Sequence, residues 1–265
     1  MVAAGLAGFP PDICKRLVVK IGSALLVDAD GAVRSQWLAS VAADIATRHK
    51  AGQQIIVVSS GAIALGARRL GLPKGGRGSL DDAQAAAAVG QIALSQAWAE
   101  LLAAQDITAA QMLLTLDDLE NRRRYLNATA TLERLLSLQV VPIINENDSV
   151  ATTEIRFGDN DRLAARIGQA ANADAVVLLS DVDGLYTANP QTNPQAQLIS
   201  EVRSINAEIR AMADGGSGSG MGSGGMASKI EAAGIANTAG THFAIISGLT
   251  PSPLSRWQQD GKGTI

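Results

Sequence analysis

Cysteine and histidine are almost missing from this chain: one cysteine, Cys14, and two histidines, His49 and His242, in 265 residues. A single thiol cannot form a disulfide within the chain. So few soft ligands also argue against a Cys/His metal site, and no metal-ligating residue is expected. Cys14 reads as a small residue near the first strand. No apolar run approaches the ~18 residues of a membrane span. The opening MVAAGLAGFPP lacks a positive leader and is broken by Pro10 and Pro11, so it does not read as a signal peptide. Net charge is only -3, with basic residues scattered. That balance argues against nucleic acid as a partner and against long-range steering of an anion. There is no G-x-x-x-x-G-K-[ST], hence no P-loop. Together these absences predict a soluble, cytoplasmic protein with no membrane partner. What is abundant is apolar: 47% of residues, against 18% charged. A large core follows, in the range of one large α/β domain spanning residues 1–265.

The most informative stretch is VPIINENDSVATTEIRFGDND, residues 141–161. An apolar run over 140–144 ends abruptly in Asn145-Glu146-Asn147-Asp148. Gly158-Asp159-Asn160-Asp161 then opens a helix predicted over 161–171. Two clusters of amides and carboxylates thus stand at a strand end and a helix start, where α/β folds place ligands. Such a crowd suits a small polar molecule carrying an ammonium group. Two Asn/Asp-rich turns would look similar. The position of each cluster beside an apolar element tilts the reading toward a site.

Along the rest of the chain, residues 17–21 form a short apolar strand interrupted by Lys20 and followed by Gly22-Ser23. A lysine ending a buried strand is costly unless it meets an anion or a carboxylate, although an ordinary edge-strand lysine reads equally well for this segment alone. A helix is predicted over 35–51, then a strand over 54–58. Ser59-Ser60-Gly61 turns that strand into a helix, a cradle able to hold a carboxylate or phosphate, although Ser60 as a simple cap reads equally well. Residues 66–78, rich in Gly, Lys and Arg, are expected to form a mobile loop. Ser79-Leu80-Asp81-Asp82 starts a helix to about residue 105. Its small-then-large stripe (Ala83, Ala86, Ala87, Gly90, Leu94, Ala97, Trp98, Leu101) signals close packing. A strand over 111–114 and a helix over 121–138 follow, with Leu126, Leu132, Leu135 and Leu136 inward and Arg122, Arg123 and Arg124 on a solvated face or oligomer contact. Residues 175–179 are a near-continuous apolar strand, as in a parallel sheet covered on both faces. After it come Ser180-Asp181 and a long turn in which Tyr186 either packs or lies against a purine ring. The Gly/Ser run 215–225 resembles a linker by composition. It leads into Met226-Ala227-Ser228-Lys229 and a helix, so a phosphate-wrapping loop is the preferred reading. A strand over 242–247 and a short helix over 251–259 close the chain. Alternating strands and helices predict an α/β three-layer αβα sandwich around one mostly parallel sheet. Lys20, Ser60, Asn145, Asp148, Ser180 and Asp181 would all fall at the carboxyl ends of its strands.

Those residues lie in motifs that together resemble the amino acid kinase family, in its glutamate-phosphorylating branch: VVKIGS, SSGAIALG, AAAAVGQ, NRRRYLNA, VPIINENDSVAT, FGDND, LLSDVDGLYTANP and GSGGMASK. They occur in family order from residue 17 to about 248. The resemblance implies the amino acid kinase fold and transfer of phosphate from ATP to the side-chain carboxylate of L-glutamate, the first step of proline biosynthesis. It implies that Ser60, Asn145, Asp148 and Asn160 hold glutamate. ATP would lie on Lys20, Ser180, Asp181 and the segment Ser223, Gly224, Gly225, Met226, Ala227, Ser228 and Lys229. Lys20 and Lys229 would act on the moving phosphoryl group, with Asp161 orienting both. The part spanning roughly 12–170 would bind substrate and the part spanning roughly 171–265 the nucleotide. A homo-oligomer (dimer or tetramer) and feedback inhibition by proline are further family expectations. The chemistry is consistent: a glutamate carboxyl with a pKa of about 4.3 is already ionised at pH 7 and needs no general base. Mg²⁺ is expected on phosphate oxygens and water, with few protein ligands. Many members continue past Gly263-Thr264 into a small PUA-type domain, and this chain stops there. The alternatives are a sister kinase acting on N-acetylglutamate, aspartate, carbamate or UMP, and a ligand-binding regulator without catalysis. Asp148 argues against the first, because a free ammonium wants a carboxylate partner. Retention of Lys20, Lys229 and Asp161 argues against the second.

Overall fold

Short β-branched runs flanked by amphipathic segments build one sheet between two helical layers. The computed structural model describes residues 8–28, 32–150, 160–214 and 225–265. The elements run β1 (Arg16–Ile21), α1 (Ser23–Leu26), α2 (Ser35–Lys50), β2 (Gln54–Ser59), α3 (Ala62–Leu70) and α4 (Leu80–Ala103). A 3-10 turn over Pro73–Gly76 lies between α3 and α4. There follow β3 (Ala109–Leu114), α5 (Leu116–Glu120), α6 (Arg122–Ser137), β4 (Val141–Glu146), α7 (Asn160–Ala170) and β5 (Ala175–Ser180). The last are α8 (Ala207–Asp214), α9 (Met226–Thr238), β6 (His242–Ser247) and α10 (Pro253–Asp260). The six strands are ordered β3-β4-β2-β1-β5-β6. All of their pairings are parallel. The three-layer αβα expectation therefore holds.

Side-chain alternation along the strands divides the interior. Leu17, Val19 and Ile21 of β1 join Trp37 and Leu38 of α2 and Leu94 and Trp98 of α4 in one core. Val18 turns to the other, with Leu163 and Ile167 of α7 and Ala232 and Ala236 of α9. Each such buried Leu, Ile or Val contributes roughly 1.5–3 kcal/mol. By the same alternation Lys20 faces α7 and α9. β4 and β5 are buried along their whole length, whereas the edge strand β3 is only partly covered.

Three expectations are corrected. The segment over 66–78 is not one loop: α3 continues through Gly66 to Leu70 and the 3-10 turn follows. Gly66 is there for closeness, not mobility. A Cβ on it would lie 1.7 Å from the Ala86 carbonyl oxygen, and one on Gly90 would lie 1.8 Å from that of Ala62. α3 and α4 thus cross backbone to backbone, which explains the small half of the α4 stripe. Leu126 is 55% exposed rather than inward. The buried face of α6 is Ala128, Leu132 and Leu136, and residue 126 lies nearly opposite Ala128 at 100° per residue. At the end of α4, Leu102 rather than Leu101 is the fully buried residue. The Asn121 side chain caps α6 by accepting from the Arg123 and Arg124 N–H groups. Arg122 and Arg123 are exposed and Arg124 pairs with Asp118 at 3.2 Å.

Candidate active site

Parallel register brings the functional side chains to one end of the sheet. Lys20 of β1 is in register with Val58 of β2 and Leu178 of β5, and Val58 with Ile144 of β4. Ser60, Asn145 and Ser180 consequently emerge around Lys20 at the strands' carboxyl ends.

At the centre stands a buried trio. Lys20 Nζ pairs with Asp161 Oδ1, and Lys229 Nζ donates to Asp161 Oδ2 at 3.3 Å. Lys20, Asp161 and Lys229 are 8%, 2% and 7% exposed. Asp161 comes from the first turn of α7 and Lys229 from the first turns of α9, and the two helices pack together beneath β1. Burial pushes the Asp161 carboxyl up, but attraction to Lys20, then Lys229, outweighs it and holds the group below the usual carboxylate range. A carboxylate between two ammonium groups leaves one positive charge in excess. Such a balance of charges suits an anionic ligand.

Beside the trio lies a neutral polar network. Gly61, at φ 114° where an L side chain is strained, ends β2 and opens α3. It leaves Ser60 at the mouth, where its hydroxyl accepts from Asn160 Nδ2 at 2.7 Å. Asn160 Nδ2 also donates to Asn145 Oδ1 at 3.1 Å, and Asn145 Nδ2 to Gln91 Oε1 at 2.8 Å. Gln91 Nε2 donates to Ser95 Oγ at 3.3 Å. Among the described residues, Asn160 Oδ1 is left buried without a partner, as is Asp148 Oδ1. Burial pushes the Asp148 carboxyl up to about 6, and the Arg77 guanidinium pulls the other way.

On the far side, Ser180 Oγ donates to Asp181 Oδ1 at 3.1 Å, and the Gly248 N–H ties the Ser180 carbonyl at 2.7 Å. Gly225 begins α9 with extended backbone and no side-chain cap, leading through Met226, Ala227 and Ser228 to Lys229. The Tyr186 hydroxyl donates to Asp183 Oδ2 at 3.1 Å, and Lys262 reaches the same oxygen at 2.7 Å.

Lys20, Ser60, Asn145, Asn160, Asp161 and Lys229 are thus joined through hydrogen bonds and ion pairs into two adjoining groups. Ser223 and Gly224 lie outside the described residues, as do Gly158 and Asp159. Reading the residues alone missed Gln91 and Arg77. Gln91 carried a signal: an amide directly after Gly90 on an otherwise apolar buried stripe. Arg77 carried none.

The six-stranded parallel sheet between helical layers, with a buried Lys-Asp-Lys trio at its carboxyl end, defines a three-layer αβα domain. The amino acid kinase family profile matches residues 15–247, and the chain belongs to that family. Within it, the chain is similar to glutamate 5-kinases. It is 67% identical over 259 residues to that of Zymomonas mobilis subsp. mobilis, covering 98% of this chain and 65% of the relative. It is 72% identical over 247 residues to that of Sphingopyxis alaskensis, covering 93% of this chain and 67% of the relative. The chain therefore spans about two thirds of the length of these curated relatives. Among solved structures, UMP kinase from Ureaplasma parvum matches with a TM-score of 0.63 at 17% identity, covering 94% of this chain and 97% of that one. Isopentenyl phosphate kinase from T. acidophilum matches at 0.61 and 16%, covering 94% and 98%. At such identities these two attest the fold alone. No helix among the described residues is long and apolar enough to cross a membrane.

Proposed function

We propose that the protein is a cytoplasmic enzyme that phosphorylates the side-chain carboxylate of L-glutamate with ATP. The product is L-glutamyl 5-phosphate, the first intermediate of proline biosynthesis. The observation that carries this reading is the buried Lys20-Asp161-Lys229 trio directly beside the Ser60–Asn160–Asn145 network, in a chain 67% and 72% identical to glutamate 5-kinases.

A carboxylate oxygen of glutamate attacks the γ-phosphorus, the bond from that phosphorus to the β-bridging oxygen breaks, and ADP leaves. The nucleophile is already ionised, so no base is required. The task is to bring two anions together and to disperse charge on the transferring group. Lys20 and Lys229 supply that charge. Asp161 fixes both ammonium groups and keeps them from chasing other anions, which preserves the near-attack geometry. Asp148 and Asn160 Oδ1 accept from the glutamate ammonium. Ser60 accepts from Asn160, so its own proton is available to a carboxylate oxygen. Asn145 supports Asn160. Ser180, Asp181 and the segment from Ser223 to Lys229 hold the nucleotide, with the backbone N–H groups that open α9 facing its phosphates. Residues roughly 12–170 thus serve the amino acid and roughly 171–265 the nucleotide. Mg²⁺ fits as a partner of phosphate oxygens and water. Among the described residues no cluster of three or more His, Cys, Asp or Glu side chains converges to hold it. Assembly as a dimer or tetramer and inhibition by free proline complete the proposal.

The test is a substrate panel of glutamate, N-acetylglutamate, aspartate and UMP with MgATP, scored by ADP formation. Turnover with glutamate alone supports the assignment. Turnover only with another acceptor, or with none, sinks it.

A further inference from the structure

The polarity of the amide network is set from outside the pocket. An Asn side chain offers two N–H donors on one side and one acceptor oxygen on the other. Both donors of Asn160 are spent, on Ser60 Oγ at 2.7 Å and Asn145 Oδ1 at 3.1 Å, so Oδ1 is what remains to meet a ligand. That arrangement requires Asn145 to present its oxygen to Asn160. Asn145 does so because its nitrogen is taken by Gln91 Oε1 at 2.8 Å. Gln91 stands on α4, beside the point where Gly90 lets α3 and α4 touch, and Ser95 one turn on holds its nitrogen at 3.3 Å. If Asn145 turned over, Asn160 would turn with it and present N–H groups inward. With donors in place of that oxygen, the pocket would keep only Asp148 for an ammonium and would suit a carboxylate better.

We infer that Gln91 is a positioning residue that sets the pocket's choice of an α-amino acid over a plain dicarboxylate, by fixing the amide orientation of Asn145 and through it Asn160. This inference rests on the glutamate kinase reading above. Gln91 touches no reacting atom in this scheme. Its effect should be confined to recognition of the ammonium group.

The decisive comparison is L-glutamate against glutarate, which has both carboxylates and no ammonium. In Gln91→Met the lost acceptor frees Asn145, and losing one neutral hydrogen bond is worth about three- to tenfold in affinity. KM for glutamate should therefore rise about fivefold with kcat and KM for ATP within about twofold of wild type. Activity toward glutarate should hold or increase, so discrimination between the two acids shrinks. Combining Gln91→Met with Asn145→Ala should give the KM of Asn145→Ala alone, because both act through one path. Unchanged discrimination overturns the inference. So does a parallel loss with glutamate, glutarate and ATP, which would mark Gln91 as packing, and so does an additive double variant. Should Gln91→Met fail to fold by circular dichroism, Ser95→Ala releases the other end of the same amide. It should narrow discrimination in the same direction, and no change there overturns the proposal too. Wild-type protein inert toward glutamate would instead defeat the function assignment, a distinguishable result.

Discussion

Asp148 meets two opposed demands. In the proposed function it must be ionised to hold an ammonium, yet it is 6% exposed and its Oδ1 has no partner among the described residues. Burial raises its pKa from 3.8 to about 6. In the folded state it therefore binds its proton more tightly than when unfolded. The resulting penalty on stability is absent below about pH 4, grows between about 4 and 6 and is full above that. It is on the order of 2–3 kcal/mol, at about 1.4 kcal/mol per tenfold change. Asp148→Asn should consequently raise the thermal midpoint at pH 7.5, and the gain should vanish at pH 4. The same variant should raise KM for glutamate about tenfold or more, the worth of a charge-assisted hydrogen bond, and leave KM for ATP within about twofold. In the wild type, KM for glutamate should climb as pH falls through 6, and Asp148→Asn should flatten that profile. A steeper loss of ATP affinity than of glutamate affinity would contradict the role given to Asp148. At this scale the sequence was readable where chemistry is concentrated: Lys20 interrupts an apolar strand, and Asn145 to Asp148 interrupt another. Gln91 was harder to see because its importance comes from Asn145, which is 54 positions away and meets it only after folding.

Helices α3 and α4 turn on two glycines. Gly90→Ala must push Cβ into the Ala62 carbonyl, 1.8 Å away, and backbone cannot yield as a flexible side chain can. Such overpacking should cost about 3 kcal/mol or more, read as a drop in the urea midpoint. Gly234, inside α9, has nothing nearer to an added Cβ than Ile205 Cδ1 at 4.0 Å. Gly234→Ala should instead gain about 0.5–1 kcal/mol from helix propensity. Equal effects of the two changes would refute the close-crossing account. These glycines also show why elements were only partly legible. A glycine reads alike as a breaker or as a contact point, and only the partner helix decides. For Gly66 the breaker reading failed. The α6 stripe failed differently, because apolar Leu126 lies off the face that Ala128, Leu132 and Leu136 present to the sheet.

Over the whole molecule, the alternation of β-branched runs and amphipathic helices was enough to give the layers. The order β3-β4-β2-β1-β5-β6 was not. Which strands become neighbours depends on packing between distant segments, and no local pattern encodes it. That order puts β1 at the middle, between β2, which leads into Ser60, and β5, which ends in Ser180. Lys20 can then face the proposed amino acid on one side and the nucleotide on the other. With Lys229→Ala, turnover should collapse while glutamate still binds. In differential scanning fluorimetry, MgATP should raise the midpoint of the wild type more than that of Lys229→Ala, as mass action requires of a weakened ligand. Glutamate should shift both alike. A variant that keeps full turnover would dismiss the phosphate role of α9.

The ion trio also bears on how the protein is made. Lys20 leaves the ribosome with the first strand, and Lys229 follows only after the segments forming five of the six strands have emerged. Until then Asp161 has a single cation to answer. Under the proposed function, a nascent chain with five strands made would have no means of consuming nucleotide, so competence for catalysis would arrive late and all at once.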